Sequence, residues 1–475
     1  MPIFNVGAAG TTSDSGFNVD NSLRFNSGSS DSITRTFGST TNRRTYTVSF
    51  WLKKADVATE QHPVFAGDLS GAQPYFDFRF DSSQIINWYH SDSSGNKEFN
   101  LKTNAVFQDT NAWYHFVLAL DTTQGTASNR VKLYVNGVQI TDFSEATYPA
   151  QNFDTAFNVS GYEAQFGAIR NNSPTLNGYM AEMVLIDGQQ LDPTSFGEFD
   201  SDSGIWKPID VSGLTFGTNG FHLDLENSGS LGADVSGNGN NFTVNNLTAV
   251  DQSLDTPTNN YNTLNILTSR GGGTITEGNL KYTASGSDSS IFGTLGIPPG
   301  MKVYFEVKLV NNTAQNAIGI HNEYDPGGTF VKGGSASGMY SFKPRGSASV
   351  TQYFNNGSST NTSTSNHAND TIIGVAVDNE NGQIHYHVNG TYINSSDPTD
   401  NNPAALVTGF GGSNEQYLHF SLDTTTSQPI NQYNFGSPPY AISSGNSDGR
   451  GHGNFEYAVP SGYYALNTKN LAEFG

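Results

Sequence analysis

One six-residue phrase occurs twice in the chain, and this repeat constrains the fold more than any other feature. The copies are V-N-G-V-Q-I at residues 135–140 and V-N-G-T-Y-I at residues 388–393. Asn-Gly between β-forming residues predicts a tight hairpin, because a type I′ turn needs two successive residues with positive φ. An apolar segment that ends on aspartate precedes each copy, at residues 113–121 and 371–378. The repeat therefore predicts two similar blocks of strands.

Composition favours an all-β protein. Glycine (52 residues) and aromatic residues (12%) are frequent, whereas charged residues make up only 14% of the 475 positions. No extended segment has the apolar stripe of an amphipathic helix. The net charge of −21 repels phosphate backbones, so nucleic acid is not an expected partner.

The chain ends and the cysteine count predict where the protein is made. Cysteine is absent, which excludes disulfides and fits synthesis in a reducing cytoplasm. Residues 1–20 are small, polar and rich in Gly, Ser and Asp, and they predict an N-terminal arm or docking peptide without its own core. They lack the pattern of a signal peptide. No apolar run reaches membrane-spanning length, so we expect no membrane insertion.

The first half of the chain resembles the laminin G-like, concanavalin A-type jelly rolls. The resemblance rests on Y-T-V-S-F-W-L at residues 46–52, W-Y-H-F-V at 113–117, L-Y-V-N-G at 133–137 and G-Y-M-A-E at 178–182. It implies a β-sandwich whose successive strands carry these phrases. Where the family usually has an acidic pair in the closing strand, this chain has Ala181 and Glu182.

The second half resembles a SPRY-type domain, which is itself a concanavalin-like sandwich. The phrases that carry this resemblance are at residues 302–309, 317–320, 371–378, 433–436 and 460–467. The expected fold is therefore all-β, with two tandem concanavalin A-like jelly-roll sandwiches. The predicted segments are an N-terminal arm (1–20), a laminin G-like sandwich (21–225), a linker (226–272) and a SPRY-type sandwich (273–475).

The connecting text resembles a tail-fibre or appendage family of tailed bacteriophages, especially marine ones. Its phrases are D-V-S-G-N-G-N-N-F-T at residues 234–243 and D-T-P-T-N-N-Y at residues 255–261. The resemblance implies a protein of the virion, made in the host cytoplasm, with other virion proteins as partners. Because phage fibres are usually trimeric, it also implies a homotrimer.

Candidate ligand residues follow from strand alternation in the first sandwich. At residues 75–81, three phenylalanines alternate with Asp77, Arg79 and Asp81, which predicts one apolar and one polar face. Aromatic rings stack on sugars and carboxylates accept hydroxyl hydrogen bonds. A core position for Trp88 is an equal alternative. The candidate ligand-binding residues are Asp77, Asp81, Trp88, Tyr89, His90 and Tyr353. In the SPRY-type sandwich, the loops at 311–314, 324–329 and 353–356 are further candidates.

One segment resembles part of a calcium-binding loop. Asp200 and Asp202 lie in D-S-D-S-G, which could place carboxylate oxygens on one side of a turn. The distal glutamate of an EF-hand is not at its usual position, and an ordinary Asx-turn is the alternative. Ca²⁺ is thus a candidate ligand, and no other cofactor is predicted.

The sequence does not favour catalysis. Glycan-cleaving relatives of this fold carry E-x-D-x-x-E on one strand, whereas residues 198–203 read E-F-D-S-D-S. A G-x-S-x-G elbow is also absent. We therefore expect a non-enzymatic virion protein (a tail fibre, an appendage or a capsid decoration) that binds a host-surface glycan or receptor. The alternatives are a virion-associated glycan-degrading enzyme and a structural spacer or head-decoration protein.

Overall fold

The computed structural model consists almost entirely of β-strands, as the sequence predicts. It describes residues 16–68, 74–170, 176–285, 289–324, 337–345, 350–400, 404–411, 413–422 and 428–475. The described chain divides into two compact units, residues 16–258 (the first unit) and residues 259–475 (the second unit). Within these residues the only α-helix spans Thr468–Phe474. The expected all-β class is confirmed, while residues 1–15 of the predicted arm lie outside the described residues.

The strands of the first unit are short and follow one another through turns. They are β1 (Ser22–Phe25), β2 (Ser32–Thr36), β3 (Thr45–Lys54), β4 (Gln61–Gly67), β5 (Tyr75–Phe80), β6 (Ile85–Ser91), β7 (Lys97–Val106), β8 (Trp113–Asp121), β9 (Val131–Val135), β10 (Val138–Gln139), β11 (Phe143–Thr147), β12 (Glu163–Phe166), β13 (Gly178–Asp187), β14 (Gly197–Phe199), β15 (Trp206–Pro208), β16 (Phe221–Leu223), β17 (Thr243–Asn245) and β18 (Gln252–Ser253).

Two antiparallel sheets form the sandwich of the first unit. Sheet 1 has the order β10-β9-β8-β3-β13-β1-β18, with β16 also paired to β13. Sheet 2 has the order β11-β7-β6-β5-β4-β12-β2-β17. The core lies between them: the ring of Phe78 from sheet 2 is 5.6 Å from Phe50 and 5.4 Å from Phe116 of sheet 1. Burial of such aromatic side chains is the main stabilising contribution.

The outer face of sheet 1 is covered by the chain that follows β13. Phe196, Val211 and Phe216 from this segment form a second apolar cluster. They pack on residues of sheet 1 that point away from the central core, which are Val117, Ala119, Val184 and Ile186. Sheet 1 is thus buried on both faces, whereas sheet 2 keeps polar residues on its outer face.

Residues 226–258 are part of the first unit, although the sequence predicts a linker over residues 226–272. In this segment β17 pairs with β2 and β18 pairs with β1. Lys53 Nζ lies 2.7 Å from Asp255 Oδ2, with both side chains 1% exposed. Trp113 Nε1 donates to the other oxygen of Asp255 at 3.0 Å. A buried carboxylate with these two partners ties the segment to the sandwich.

The phrase at residues 234–243 closes a loop. The carboxylate of Asp234 accepts hydrogen bonds from the backbone amides of His222 (3.0 Å), Ser236 (2.9 Å) and Asn240 (2.7 Å). The Asn240 side chain donates to the carbonyls of Thr218 (3.0 Å) and Gly220 (2.8 Å). This Asn/Gly-rich phrase therefore has a structural role, because its polar side chains satisfy backbone groups of residues 218–222.

The second unit is built from a second set of strands and one C-terminal helix. The strands are β19 (Gly273–Thr276), β20 (Lys281–Ala284), β21 (Ser289–Ile297), β22 (Lys302–Asn311), β23 (Asn316–His321), β24 (Met339–Arg345), β25 (Val350–Asn355), β26 (Ser358–Ser365), β27 (Thr371–Asp378), β28 (Gln383–Val388), β29 (Thr391–Tyr392), β30 (Val407–Thr408), β31 (Gln416–Leu422) and β32 (Ile430–Asn434), and the helix is α1 (Thr468–Phe474).

These strands also form two antiparallel sheets around an apolar core. Sheet 3 has the order β19-β20-β32-β22-β27-β28-β29, with β30 paired to β28. Sheet 4 has the order β21-β31-β23-β24-β25-β26. Phe305 of sheet 3 and Phe420 of sheet 4 meet with ring centroids 5.9 Å apart. The second unit is thus a sandwich with its own core, as the SPRY resemblance implies.

The two V-N-G phrases form the hairpins that the sequence predicts. Asn136 and Asn389 have φ of 47° and 46°, and the glycines after them also have positive φ. The Asn136 side chain accepts a hydrogen bond from the backbone amide of His115 at 2.7 Å. The Asn389 side chain accepts one from Ile372 at 2.9 Å. In both units the asparagine thus joins the turn to the preceding strand.

Among the helices of the described chain, none combines the length and apolarity of a membrane span.

Candidate functional site

The outer face of sheet 2 is the strongest candidate for a ligand site. Strand alternation in β5 directs Phe76, Phe78 and Phe80 into the core. Tyr75, Asp77 and Arg79 therefore point outward, as the sequence predicts. Outward residues of the neighbouring strands and loops complete a surface that we call the polar face. It consists of Glu60, His62, Tyr75, Asp77, Arg79, Asn87, Tyr89, Lys97, Asn100, Gln165 and Arg170.

A chain of charged side chains crosses the polar face. His62 Nδ1 is 2.9 Å from Asp77 Oδ1, and His62 Nε2 is 2.9 Å from Glu60 Oε1. Arg79 also reaches Glu60, at 3.1 Å. Burial lowers the pKa of His62, but the carboxylates of Asp77 and Glu60 outweigh this effect and raise it. Protonated His62 can donate to both carboxylates, and this neutralises much of their charge.

Asp77 is the most deeply placed acid of the polar face. Its side chain is fully buried, and within the described part of the chain its Oδ2 has no hydrogen-bond partner. Tyr89 is its cross-strand neighbour, and burial together with the Asp77 carboxylate raises the pKa of the Tyr89 phenol. These two candidate residues thus lie on the same face of sheet 2, but Asp77 lies beneath the accessible surface.

Two tyrosine rings and three cations form the outer layer of the polar face. The hydroxyls of Tyr75 and Tyr89 are 3.4 Å apart, and their ring centroids are 5.8 Å apart. The guanidinium of Arg170 lies over Tyr75 at 4.5 Å. Lys97 and Arg79 lie over Tyr89 at 4.7 and 5.2 Å. The cations rather than bare ring faces are therefore presented outward.

Neutral polar groups flank this layer. Asn100 accepts from Lys97 at 3.3 Å and donates to Glu145 at 2.6 Å. Gln165 Oε1 and Asn87 Oδ1 are buried and have no hydrogen-bond partner among the described residues. These carboxamides therefore lie beneath the cations rather than at the accessible surface.

Trp88 and His90 do not belong to the polar face, because residues adjacent to Tyr89 in a strand point to the opposite side. Trp88 is fully buried and packs against Phe76 and Phe99. His90 Nε2 accepts a hydrogen bond from the amide of Ala156 at 3.0 Å, and burial lowers the pKa of His90 to about 4. Their expected contact with a ligand is contradicted, and the core alternative for Trp88 is correct.

The remaining candidate residues are dispersed. Asp81 closes the β5–β6 turn, since its Oδ1 accepts from the amide of Ser83 at 2.8 Å. Its Oδ2 is 3.6 Å from Lys102. Tyr353 is partly buried in β25 and packs against the core of the second unit. Of the loops predicted beside it, residues 325–329 lie outside the described residues.

Asp200 and Asp202 lie in an Asx-turn. Asp200 Oδ1 accepts hydrogen bonds from the amides of Ser203 (2.9 Å) and Asp202 (3.1 Å). Lys207 Nζ is 3.1 Å from Asp200 Oδ2. The hydrogen bonds from Ser203, followed by Lys207, lower the pKa of Asp200. In the part of the chain that the structure describes, no group of three His, Cys, Asp or Glu residues is placed to hold a metal ion.

Residues 198–203, the segment that we compared with E-x-D-x-x-E, have a structural role. Glu198 and Asp200 both pair with Lys207, at 3.4 and 3.1 Å. Ser203, at the position of the second glutamate, donates its hydroxyl to Asp200 at 3.0 Å. These carboxylates are therefore held by a lysine and a turn, and they do not form the opposed acid pair that glycoside hydrolysis uses.

A buried serine–histidine contact has the wrong proton arrangement for nucleophilic catalysis. Ser49 Oγ is 2.8 Å from His115 Nε2. Trp206 Nε1 donates to His115 Nδ1 at 3.0 Å, so neutral His115 carries its proton on Nε2 and donates to Ser49. Burial lowers the pKa of His115 to about 3. Ser49 thus lacks a neighbouring base.

Sequence reasoning missed several residues of the polar face. His62 belongs to a bulged part of β4, where period-2 alternation fails. Lys97 begins β7 and Arg170 follows β12 after a turn, so no strand pattern links them to Tyr75. Tyr75 itself was detectable, because it has the same parity as Asp77 and Arg79.

Comparisons with known proteins agree with the two sandwiches. Residues 26–191 match the profile of the concanavalin A-like lectin/glucanases superfamily, in its laminin G form, and residues 302–423 match the SPRY domain. The order of the two domains is the predicted one. A search of curated proteins found no match.

Several solved structures are similar to parts of the chain. The SPRY domain of human HERC1 is 13% identical, with 36% of this chain and 96% of that chain covered and a TM-score of 0.27. A putative carbohydrate-binding protein from Bacteroides ovatus is 15% identical over 48% and 59% of the two chains, with a TM-score of 0.29. The CBM40 of Ruminococcus gnavus IT-sialidase is 14% identical over 32% and 80%, with a TM-score of 0.25.

Proposed function

We propose that this chain is a structural protein of a tailed-phage virion that attaches to a host-surface glycan without cleaving it. The observation that carries the attachment is the polar face of sheet 2, where amide oxygens and charged groups converge around two tyrosines. The virion location is supported by the resemblance of residues 234–243 and 255–261 to phage tail-fibre proteins. The lectin-like description of the matching superfamily is consistent with this role.

The chemistry of the polar face suits hydroxyl-rich ligands. The phenol of Tyr75 and the guanidinium groups of Arg79 and Arg170 are partly exposed, and the buried Asn100 holds the ammonium of Lys97 from beneath. Sugar hydroxyls both donate and accept hydrogen bonds, so such groups can fix their orientation. A shallow site of this kind binds weakly. Several copies that act together can raise avidity by roughly 10²–10⁴.

Attachment without cleavage is supported by the state of the acids on the polar face. Asp77 and Glu60 share His62, and Glu60 also pairs with Arg79. A retaining or inverting glycosidase needs one free carboxylate and one protonated carboxyl on opposite sides of the bond. Incubation with host polysaccharide should release no reducing ends, and such a release would favour the glycan-degrading alternative.

Binding is tested with purified protein on host cells. Tyr75→Ala and Asn100→Ala should each reduce adsorption several-fold, because Tyr75 is a partly exposed group of the polar face and Asn100 holds the Lys97 ammonium in place. Tyr134→Ala removes a partly exposed tyrosine from sheet 1 and should leave adsorption unchanged. Adsorption that none of the three substitutions affects would exclude this face, and adsorption lost equally in all three would indicate general misfolding.

The virion assignment needs separate measurements. Antibody against this chain should label assembled particles in electron micrographs, and light scattering of the full chain should give the mass of a trimer. Unlabelled particles would contradict the virion role, and a monomer at micromolar concentration would contradict the trimer. Tight capsid binding without any glycan binding would favour the structural spacer instead.

A further inference from the structure

The outer layer of the polar face is a row of alternating cations and rings. Arg170 lies over Tyr75, Tyr75 meets Tyr89 edge to face, and Lys97 lies over Tyr89. Lys97 is exposed, and Arg170 and Tyr75 are partly exposed. Because the rings hold the cations in place, these charges are ordered at the surface without a carboxylate.

Neither end of this row is neutralised within the described residues. Lys97 Nζ contacts the amide oxygen of Asn100, and the salt bridges of this region involve Arg79 and Lys102 instead. Arg170 Nε has no hydrogen-bond partner among the described residues. Burial and then the positive charge of Arg79 lower the pKa of Lys97, whereas the carboxylates of Glu145 and Asp77 act in the opposite direction.

The polar face gathers cations on a chain that is acidic as a whole. The chain has 22 Lys and Arg residues against 43 Asp and Glu residues. On the polar face the acids Asp77 and Glu60 are already occupied by His62 and Arg79. A ligand that approaches from solvent thus meets two cations, Lys97 and Arg170, that form no salt bridge within the described residues. Glu145, which also lies beside Asn100, accepts a hydrogen bond from the Asn100 side chain.

We infer that the polar face binds acidic saccharides, through their carboxylate or sulfate groups. Guanidinium and ammonium groups form charge-assisted hydrogen bonds to such anions, which are stronger than bonds to neutral hydroxyls. Neutral sugars that rely on ring stacking fit less well, because cations already lie over Tyr75 and Tyr89. This inference rests on the proposed glycan-binding function and specifies its ligand class.

Binding of the full-length protein to defined polymers tests the inference. The probes are polygalacturonate, its fully methyl-esterified form, dextran sulfate and unmodified dextran. We expect binding to at least one of the two anionic polymers and at least about tenfold weaker binding to its neutral counterpart, since one lost charge-assisted contact corresponds to about a tenfold change in Kd. The affinity should fall as the NaCl concentration rises from about 50 to about 500 mM, because salt screens the attraction between the cations and the anionic polymer. Preference for polygalacturonate indicates a carboxylate ligand, and preference for dextran sulfate indicates a sulfate ligand.

Two substitutions identify the cations responsible. Lys97→Gln and Arg170→Gln should each weaken binding several-fold, and the double variant about tenfold or more. Lys132→Gln removes a lysine from sheet 1 and should have no effect beyond that of net charge. Equal binding to esterified and free polymer, or full binding by the double variant, overturns the inference but leaves glycan attachment intact. If the protein binds none of the four polymers, and if every polar-face variant still adsorbs to host cells like the wild type, the proposed function is overturned as well.

Discussion

Lys54 is a fully buried lysine that meets neutral acceptors. Its ammonium donates to the side-chain oxygen of Gln84 and to the carbonyl of Phe107, and it lies 4.3 Å over the ring of Phe80. Desolvation by this environment lowers the pKa of Lys54 from 10.5 to about 7. Between these two pH values the unfolded chain binds a proton that the folded chain does not bind, so stability increases with pH.

The free energy of unfolding should therefore rise between pH 7 and pH 9, by up to about 1.4 kcal/mol per pH unit from this group. Urea denaturation of the wild type and Lys54→Met at three pH values measures the effect. The difference in unfolding free energy between the two proteins should shrink or reverse as pH rises. Only the wild type carries a buried ammonium, and its destabilising effect disappears when Lys54 loses its proton. Lys132→Met controls for net charge, and parallel pH curves for wild type and Lys54→Met would contradict the prediction.

The asparagines of the two hairpins combine a positive φ with a cross-strand hydrogen bond. Asn136→Ala and Asn389→Ala should each destabilise the protein by about 1–3 kcal/mol, because alanine disfavours positive φ and cannot accept the bond. Aspartate keeps an acceptor oxygen, and glycine adopts positive φ without strain but lacks the acceptor. Both replacements should therefore destabilise the protein less than alanine does. Chemical denaturation ranks these variants. Equal losses for alanine and aspartate would show that the side-chain bond contributes little.

At the scale of elements, each unit places an aromatic residue of a later segment on its V-N-G turn. A Cβ on Gly137 would lie 2.5 Å from the ring of Trp206, and one on Gly390 would lie 2.9 Å from Tyr457. Both rings also contact the strand histidine of the same unit, His115 or His387. The shared glycine thus serves the turn and also leaves room for the covering segment.

In the second unit a buried carboxylate fixes the covering segment. Glu306 of β22 accepts hydrogen bonds from the amides of Glu456 (3.0 Å) and Tyr457 (2.8 Å). Burial raises the pKa of Glu306 despite these bonds. In the first unit the covering segment is held by Trp206, which donates to His115. The two units therefore reach the same arrangement with different polar contacts.

Removal of Trp206 should uncover sheet 1. We expect Trp206→Ala to destabilise the first unit by about 3–5 kcal/mol, the usual range for a buried tryptophan. The pKa of His115 should rise from about 3, because its desolvation decreases. NMR titration of His115 and thermal unfolding measure both effects. Trp206→Phe keeps the ring without the N–H donor and should destabilise less, whereas an unchanged His115 pKa in Trp206→Ala would contradict this explanation.

At the scale of the whole molecule, the boundary of the first unit lies at residue 258. A fragment of residues 16–258 contains both partners of the Lys53–Asp255 pair and the edge strands β17 and β18. A fragment of residues 16–225, close to the predicted domain, lacks these elements and leaves Lys53 buried without its carboxylate.

We expect both fragment 16–258 and fragment 259–475 to be soluble and to unfold cooperatively. Fragment 16–225 should be less stable than fragment 16–258 by at least about 3–5 kcal/mol, the usual consequence of breaking a buried ion pair. Denaturant unfolding followed by circular dichroism measures the difference. Lys53→Met in fragment 16–225 should recover part of the loss, since it removes the buried charge that Asp255 balances in the longer fragment. Equal stability of the two fragments would support the predicted linker instead.

The sequence by itself determined the elements whose signals are local. Alternation of Phe76, Phe78 and Phe80 with polar residues assigned the two faces of β5, and the V-N-G phrases located both hairpins. Asp192 and Pro193 likewise have the residue pattern of a helix start, and they form a 3₁₀ turn with Asp192 at its N-cap. Such features depend on backbone preferences and on period-2 geometry, which a few neighbouring residues specify.

Only the tertiary structure decided which faces are covered and which residues meet. The same period-2 rule that directs Tyr89 to the outer face of sheet 2 sends Trp88 into the core, but composition alone could not choose the direction. Lys53 and Asp255 pair across 202 positions, and Arg170 reaches Tyr75 from the turn that follows β12. Contacts of this kind follow from sheet order, which depends on the cooperative burial of the whole core and leaves no local pattern in the chain.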